Sequence, residues 1–242
     1  MKPGTLYGIG VGPGDPELIT LKGARVLGEC RRVFVPKART AAESVALSIA
    51  GRYLKNDAQV RELVFPMTSD REELSQKWEE SAREIAAVLE NGEDACFLTL
   101  GYPFLYSTYI YLLRALRARL PEAEVVTVPG VPAFAAAAAL ADFPVGEAKQ
   151  PVTIVPTADD LETVRQAIKA GGTVILMKIG KRLGEIVNLL EDAGLIDRSV
   201  FVAHAGMAEE RVETDLRRLR SEGPETGYLS IILVQAEGGA EK

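Results

Sequence analysis

The chain has 242 residues, a formal net charge of −6 and a pI near 5.1. That acidic balance argues against a nucleic-acid binder, which carries a basic footprint, yet it leaves room for an anionic small molecule in a local basic pocket. His204 is the single histidine, which excludes a histidine-built metal site, and no metal is expected.

The elements alternate. A β-type run over Leu6–Val11 enters a loop of Gly10, Gly12, Pro13 and Gly14, and Asp15 and Pro16 have the cap and first-turn chemistry of a helix start. That helix is expected over Glu17–Glu29, followed by strand Arg32–Val35, helix Ala42–Leu54 and a strand near Val60–Phe65. Ser69 and Glu72 have capping-box spacing before a long helix ending at Gly92, with Leu74, Trp78, Ala82, Ile85 and Leu89 on one face. Trp78 therefore reads as core or interface. The continuous apolar run Ala95–Leu100 predicts a strand covered on both faces. A loop over Gly101–Tyr106 follows, and Ser107 is placed to cap a helix running to Leu120. Strand Glu124–Val128, the turn Pro129–Ala133 and an alanine-rich helix over Ala133–Ala141 complete the first half.

Pro, Gly and polar residues over Phe143–Pro151 suggest a domain boundary, giving 1–145 and 146–242. Beyond it the alternation resumes, with strands Val152–Val155, Thr173–Met177, Ser199–Ala203 and Leu229–Val234. Helices are expected around Asp160–Ala170, Leu183–Ala193 and Glu209–Ser221. The N-terminus has no apolar signal region and no run approaches membrane-spanning length. Cys30 and Cys96 belong to no CxxC pair and read as buried reduced thiols. A cytoplasmic protein, bound to neither membrane nor nucleic acid, is the expectation.

Such alternation implies an α/β fold of two domains with mostly parallel or mixed sheets, whose ligands lie beyond the C-terminal ends of strands. Six Gly/Pro- or charge-bearing stretches fall there: Gly10–Asp15, Pro36–Arg39, Gly101–Thr108, Pro129–Ala133, Lys178–Arg182 and His204–Gly206. The first is not a phosphate cradle. Reading G-x-G-x-x-G from Gly10 puts Asp15 in the third glycine position, no Gly-Lys-Ser/Thr follows, and a carboxylate at a helix mouth repels pyrophosphate.

In order along the chain, Gly10-Val-Gly-Pro-Gly-Asp-Pro16, Leu100-Gly-Tyr-Pro103, Pro129-Gly-Val-Pro-Ala133, Ile175-Leu-Met-Lys178 and Tyr228-Leu-Ser-Ile-Ile-Leu-Val234 resemble the tetrapyrrole (corrin/porphyrin) methyltransferase family. Val35-Pro-Lys-Ala38, Phe65-Pro-Met67 and Leu105-Tyr-Ser-Thr-Tyr109 are similar to its branch acting on C-20 of precorrin-2. The resemblance implies the tetrapyrrole methylase fold, a homodimer, and S-adenosylmethionine held in an inter-domain cleft, with S-adenosylhomocysteine as product. The N-terminal domain would be the substrate side. The implied reaction methylates the C-20 meso carbon of precorrin-2, or of its cobalt form, in cobalamin biosynthesis. In one departure Tyr102 stands where the family's loop has Asp, although Gly101 and Pro103, which shape the backbone, are kept.

By the same resemblance, Pro13, Leu100, Gly101, Tyr102, Leu105, Pro132, Ala133, Met177 and Gly206 match cofactor positions. Met177 taken alone would read as core packing. Ser107 and Thr108 either hold the cofactor's amino-acid end or cap the next helix. The eight carboxylates of the family's substrate call for local cations, and Lys37, Arg39, Lys178, Lys181 and Arg182 follow strand ends; solvated surface charge is the alternative for each. Asp15 is a helix cap and a candidate polar contact to substrate. Tyr102, Tyr106, His204 or water are candidates to take the C-20 proton, and His204 could equally be a structural hydrogen-bonding residue. A tetrapyrrole- or nucleotide-binding protein with little catalysis, and a methyltransferase of another branch acting on RNA or protein, are the competing readings. NAD(P) chemistry is disfavoured by Asp15.

Overall fold

The computed structural model describes residues 2–39, 43–66, 68, 70–157 and 160–236. The chain forms two compact units, Met1–Pro132 and Ala133–Lys242, each built on one five-stranded sheet.

The first sheet comprises β1 (Thr5–Gly10), β2 (Arg32–Ala38), β3 (Gln59–Phe65), β4 (Ala95–Thr99) and β5 (Glu124–Val128). Its order is β3-β2-β4-β1-β5 and every pairing is parallel. Every residue of β4 is buried, as its unbroken apolar run requires of a strand covered on both faces. One face carries α3 (Arg71–Glu90) and α4 (Tyr109–Arg119): Leu6, Phe34, Ala95 and Phe97 pack there against Ala82, Ile85, Tyr109 and Leu112. The opposite face carries α1 (Leu21–Glu29), whose Gly23 sits over Ile9 of β1. A short α2 (Val45–Ala50) precedes β3.

The second unit holds α5 (Ala133–Leu140), β6 (Val152–Pro156), α6 (Glu162–Ala170), β7 (Thr173–Met177), α7 (Leu183–Asp192), β8 (Ser199–Ala203), β9 (Arg211–Glu213) and β10 (Ser230–Gln235). Its sheet is mixed, in the order β6-β7-β10-β8-β9. Strand β6 runs parallel to β7, whereas β10 is antiparallel to both β7 and β8. Val174, Leu176, Phe201 and Ile232 face α6 and α7. Ile175, Val200, Val202 and Ile231 face the small side chains of α5. Because α5 covers this sheet, the units divide at Pro132/Ala133 rather than at 145/146.

Several expected elements take another form. The helix expected over Glu17–Glu29 is a 3₁₀ turn, Pro16–Leu18, capped by Asp15, and then α1, capped by Thr20. The helix expected over Ala42–Leu54 is α2 with a 3₁₀ turn at Gly51–Tyr53; Ala42 lies outside the described residues. So do Ser69 and Met67, and the cap of α3 is Asp70, which accepts from the N–H groups of Glu72 and Glu73. Ser107 does not cap α4: its hydroxyl donates to the Pro103 carbonyl, and Thr108 occupies the cap position without a side-chain bond. The helix expected over Glu209–Ser221 is replaced by β9 and a 3₁₀ turn at Leu216–Leu219. Here pairing of β9 with β8 and the bidentate Arg211–Glu222 ion pair override helical spacing.

Candidate active site

Strands β1 and β4 are neighbours, yet the chain leaves β1 toward α1 on one face and leaves β4 toward α4 on the other. Adjacent parallel strands whose connections diverge in this way open a crevice at their C-terminal ends, where α/β proteins bind ligands. Three loops meet there. The N–H of Val11 donates to the Thr99 carbonyl (3.0 Å), and that of Gly101 to the Gly12 carbonyl (2.8 Å). Gly12 and Gly101 have φ of +86° and +66°, a region that only glycine occupies at little cost.

The glycines also serve one another. A Cβ built on Gly130 would lie 2.3 Å from the Gly101 carbonyl oxygen and 2.6 Å from Gly10 backbone atoms. One on Gly10 would lie 2.5 Å from the Gly101 oxygen and from the Gly130 nitrogen. Gly10, Gly101 and Gly130 thus form a three-way backbone crossing that holds the β1, β4 and β5 loops together. On the α4 side, Gly8 makes room for the ring of Tyr109, which is fully buried and hydrogen-bonded to Thr127 (2.8 Å).

Neither the segment from Gly8 to Leu18 nor that from Leu98 to Tyr109 nor that from Val128 to Phe134 contains a Lys, Arg or His. Asp15 spends its carboxylate on the Glu17 N–H at 2.8 Å. A site walled by backbone and neutral side chains, with a carboxylate at the helix mouth, does not suit a phosphate; it suits an uncharged adenosine or a cationic sulfonium. Pro13 and Gly101 are buried, Leu100, Leu105, Ser107 and Thr108 are half-buried, and Tyr102 is exposed. Pro132 is half-buried at the end of this unit, and Ala133 is half-buried at the start of α5.

In the second unit, β7 and β8 both run antiparallel to β10, so their C-terminal ends lie at one edge of the sheet. Non-glycine residues in the left-handed region gather there: Lys178 (φ +59°), His204 (φ +50°) and Leu229 (φ +47°). The His204 N–H donates to the Leu229 carbonyl (3.0 Å), and its ring lies 6.4 Å from that of Tyr228. Met177 is half-buried, and its carbonyl accepts from both the N–H and the hydroxyl of the fully buried Thr157 (2.8 and 3.1 Å). Gly206 donates its N–H to Glu210 (2.7 Å). Lys178 reaches solvent, yet surrounding protein desolvates its amine and holds its pKa below the usual lysine range.

Three of the other four expected substrate cations already have carboxylates of their own. Lys37 pairs with Glu62 (2.8 Å), Arg39 with Glu73 (3.1 Å) and Arg182 with Glu185 (3.0 Å), whereas Lys181 is exposed. Burial pushes the Tyr106 phenol above its ordinary value, so it is neutral at physiological pH and poorly suited to accept a proton. A depression of about 490 Å³ beside Arg32, Gln59, Arg61 and Glu84 lies at the N-terminal ends of β2 and β3, away from these loops. Its arginines are bound by Glu93 and Glu84. Sequence spacing concealed the nearness of Cys30, at the C-terminal cap of α1, to Cys96 of β4: both thiols are buried, their interaction pulls the Cys30 pKa down and pushes that of Cys96 up, and the Cys30 thiol donates to the Arg32 and Asp94 carbonyls (3.3 and 3.7 Å). It also concealed Phe104; the only signal was its place among aromatic residues in the β4 loop.

A profile of the Tetrapyrrole (Corrin/Porphyrin) Methylases matches residues 5–220. The chain belongs to this family. It is 35% identical over 234 residues to the cobalt-precorrin-2 C(20)-methyltransferase of Salmonella typhimurium, covering 97% of each chain. A crystal structure of a cobalamin biosynthetic enzyme, cobalt precorrin-4 methyltransferase, superposes with a TM-score of 0.73 at 21% identity, over 97% of this chain and 96% of the other. Uroporphyrin-III C-methyl transferase from Thermus thermophilus, complexed with S-adenyl homocysteine, gives a TM-score of 0.66 at 20% identity, over 96% and 97%.

Proposed function

We propose that the protein transfers a methyl group from S-adenosylmethionine to the C-20 meso carbon of precorrin-2, or of its cobalt complex, in cobalamin biosynthesis. The observation that carries this reading is the end-to-end likeness to the Salmonella C(20)-methyltransferase. The cation-free backbone walls around Gly10, Gly101 and Gly130 support it, because they suit a cofactor without phosphate.

Pro13, Leu100, Gly101, Tyr102, Leu105, Pro132, Ala133, Met177 and Gly206 are assigned to the cofactor. Ser107 and Thr108 are assigned to its amino-acid end, Thr108 being the better suited because the Ser107 hydroxyl is engaged by Pro103. When bound, S-adenosylmethionine supplies a methyl group already activated on a sulfonium. What the chain must add is alignment and exclusion of water, and holding two reactants in register can lower a barrier by roughly 7–11 kcal/mol. Rigid walls serve that purpose, and the glycine crossing is such a wall. The C-20 proton is assigned to His204, since imidazole is the side chain suited to carry protons near neutral pH. Tyr102 and Tyr106 then serve as neutral walls. Lys178 and Lys181 meet substrate carboxylates first; Lys37, Arg39 and Arg182 can join only by exchanging their present partners. Asp15 acts through its cap.

A homodimer in the cytoplasm is part of the same reading. It is supported by the family resemblance and, for localisation, is compatible with the finding that no described helix is long and apolar enough to cross a membrane. Light scattering of the purified protein checks the dimer.

The direct test is incubation with methyl-¹³C-labelled S-adenosylmethionine and precorrin-2 or cobalt-precorrin-2, read by NMR. Label on C-20 is expected; no incorporation into either tetrapyrrole would sink the proposal.

A further inference from the structure

We propose that Tyr102, Phe104 and Tyr106 together form the surface on which the tetrapyrrole ring of the substrate rests. The identity of the occupant depends on the function proposed above; the existence of a built aromatic surface does not. Of five exposed aromatic side chains among the described residues, three lie within this one loop, at 37%, 45% and 40% exposure. Burial alternates along it: Gly101 and Pro103 are buried and Leu105 half-buried, while the three aromatic residues between and after them face solvent.

The surface is held in place. Phe104 meets Tyr102 edge-on with ring centres 6.2 Å apart, and lies 5.5 Å from the ring of the fully buried Tyr109. Beneath it, Leu105 N–H donates to the Tyr102 carbonyl (3.1 Å), and the Ser107 hydroxyl to that of Pro103. Tyr106 stands at φ +51°, a conformation costly for a bulky residue, and strain of this kind at a surface loop points to a use for the side chain.

Two rings packed against each other and a third in the same loop exceed what an adenine face requires, and together they offer stacking and edge contacts to a larger planar partner. The loop has no cation, so it reads the apolar face of a ligand and not its carboxylates. A tetrapyrrole offers such a face, and the family acts on tetrapyrroles. The patch begins at Gly101, beside the backbone crossing assigned to the cofactor, which sets methyl donor and acceptor next to each other.

Titration with sirohydrochlorin, followed by absorbance, tests the proposal, with calorimetric binding of S-adenosylhomocysteine as the control for fold and cofactor site. Phe104→Ala should weaken sirohydrochlorin binding about tenfold or more, with S-adenosylhomocysteine affinity within about twofold of the wild type. Phe104→Trp should restore binding. Should Phe104→Ala fold poorly, Phe104→Leu provides the same comparison with less loss of packing. Equal tetrapyrrole binding by wild type and these variants overturns the inference while leaving the proposed function standing. So does an equal loss for both ligands, which would place the rings at the cofactor, or a change in oligomeric state, which would make them an interface between copies. A wild-type protein that binds neither sirohydrochlorin nor its cobalt complex overturns the function and the inference together.

Discussion

The two units end their strands in opposite ways. In the first, glycines stand at the end of β1 and just beyond β4 and β5, and where they cross, Gly10 and Gly130 have no room for a Cβ. In the second, Lys178, His204 and Leu229 hold full side chains in the left-handed region where glycine would be cheaper. The difference separates two uses of a strand end. Where backbones must touch, the side chain is removed; where strain is tolerated, the side chain or its packing is what the position keeps.

That contrast can be broken by exchange. Gly130→Ala should be the most damaging change, since the new methyl meets carbonyl and backbone atoms at 2.3–2.6 Å that cannot swing aside. A loss of about 3 kcal/mol, or failure to fold, is expected in urea unfolding; a variant as stable as the wild type would show that the crossing is loose. His204→Gly should do the reverse, leaving stability unchanged while lowering kcat by about a hundredfold, the lower end for loss of a proton acceptor. Unaltered turnover would remove His204 from the chemistry. Leu229→Gly relieves strain but removes a half-buried side chain at a position with no assigned role, so the two offset and a stability change within about 1 kcal/mol with unchanged kcat is expected.

The smallest effect concerns Lys178. Desolvation lowers its folded pKa, so the charged amine disfavours the folded state at neutral pH, and this cost fades as pH rises and the amine deprotonates. Lys178→Met should therefore raise Tm slightly at neutral pH, with the gain shrinking in alkaline buffer. A gain that grows with pH would contradict the sign. In the complete assay the same variant should weaken tetrapyrrole binding.

Much of this was legible in the residues. The unbroken apolar run of β4 and the spacing of Ala82, Ile85 and Leu89 on α3 report burial directly, and burial is what the fold shows. Segments decided by tertiary pairing were not. Arginines at 211, 217, 218 and 220 mimic a helical face, yet Arg211 binds Glu222 and Arg217 binds Asp197, fixing an irregular segment around β9. That the glycine loop is no phosphate cradle was readable from Asp15, but its packing against two other glycines was invisible until three strands stood side by side. Phe104 was hidden for a related reason: only burial distinguishes an exposed ring from a core one.

The central claim is that the β1, β4 and β5 loops form a rigid, cation-free wall against S-adenosylmethionine. A crystal of the protein soaked with S-adenosylhomocysteine tests it most directly. The account predicts ligand density against the backbone from Leu100 to Leu105, with Gly10, Gly101 and Gly130 in their present positions. Ligand bound away from these loops, or reached only by separating the three glycines, would contradict it.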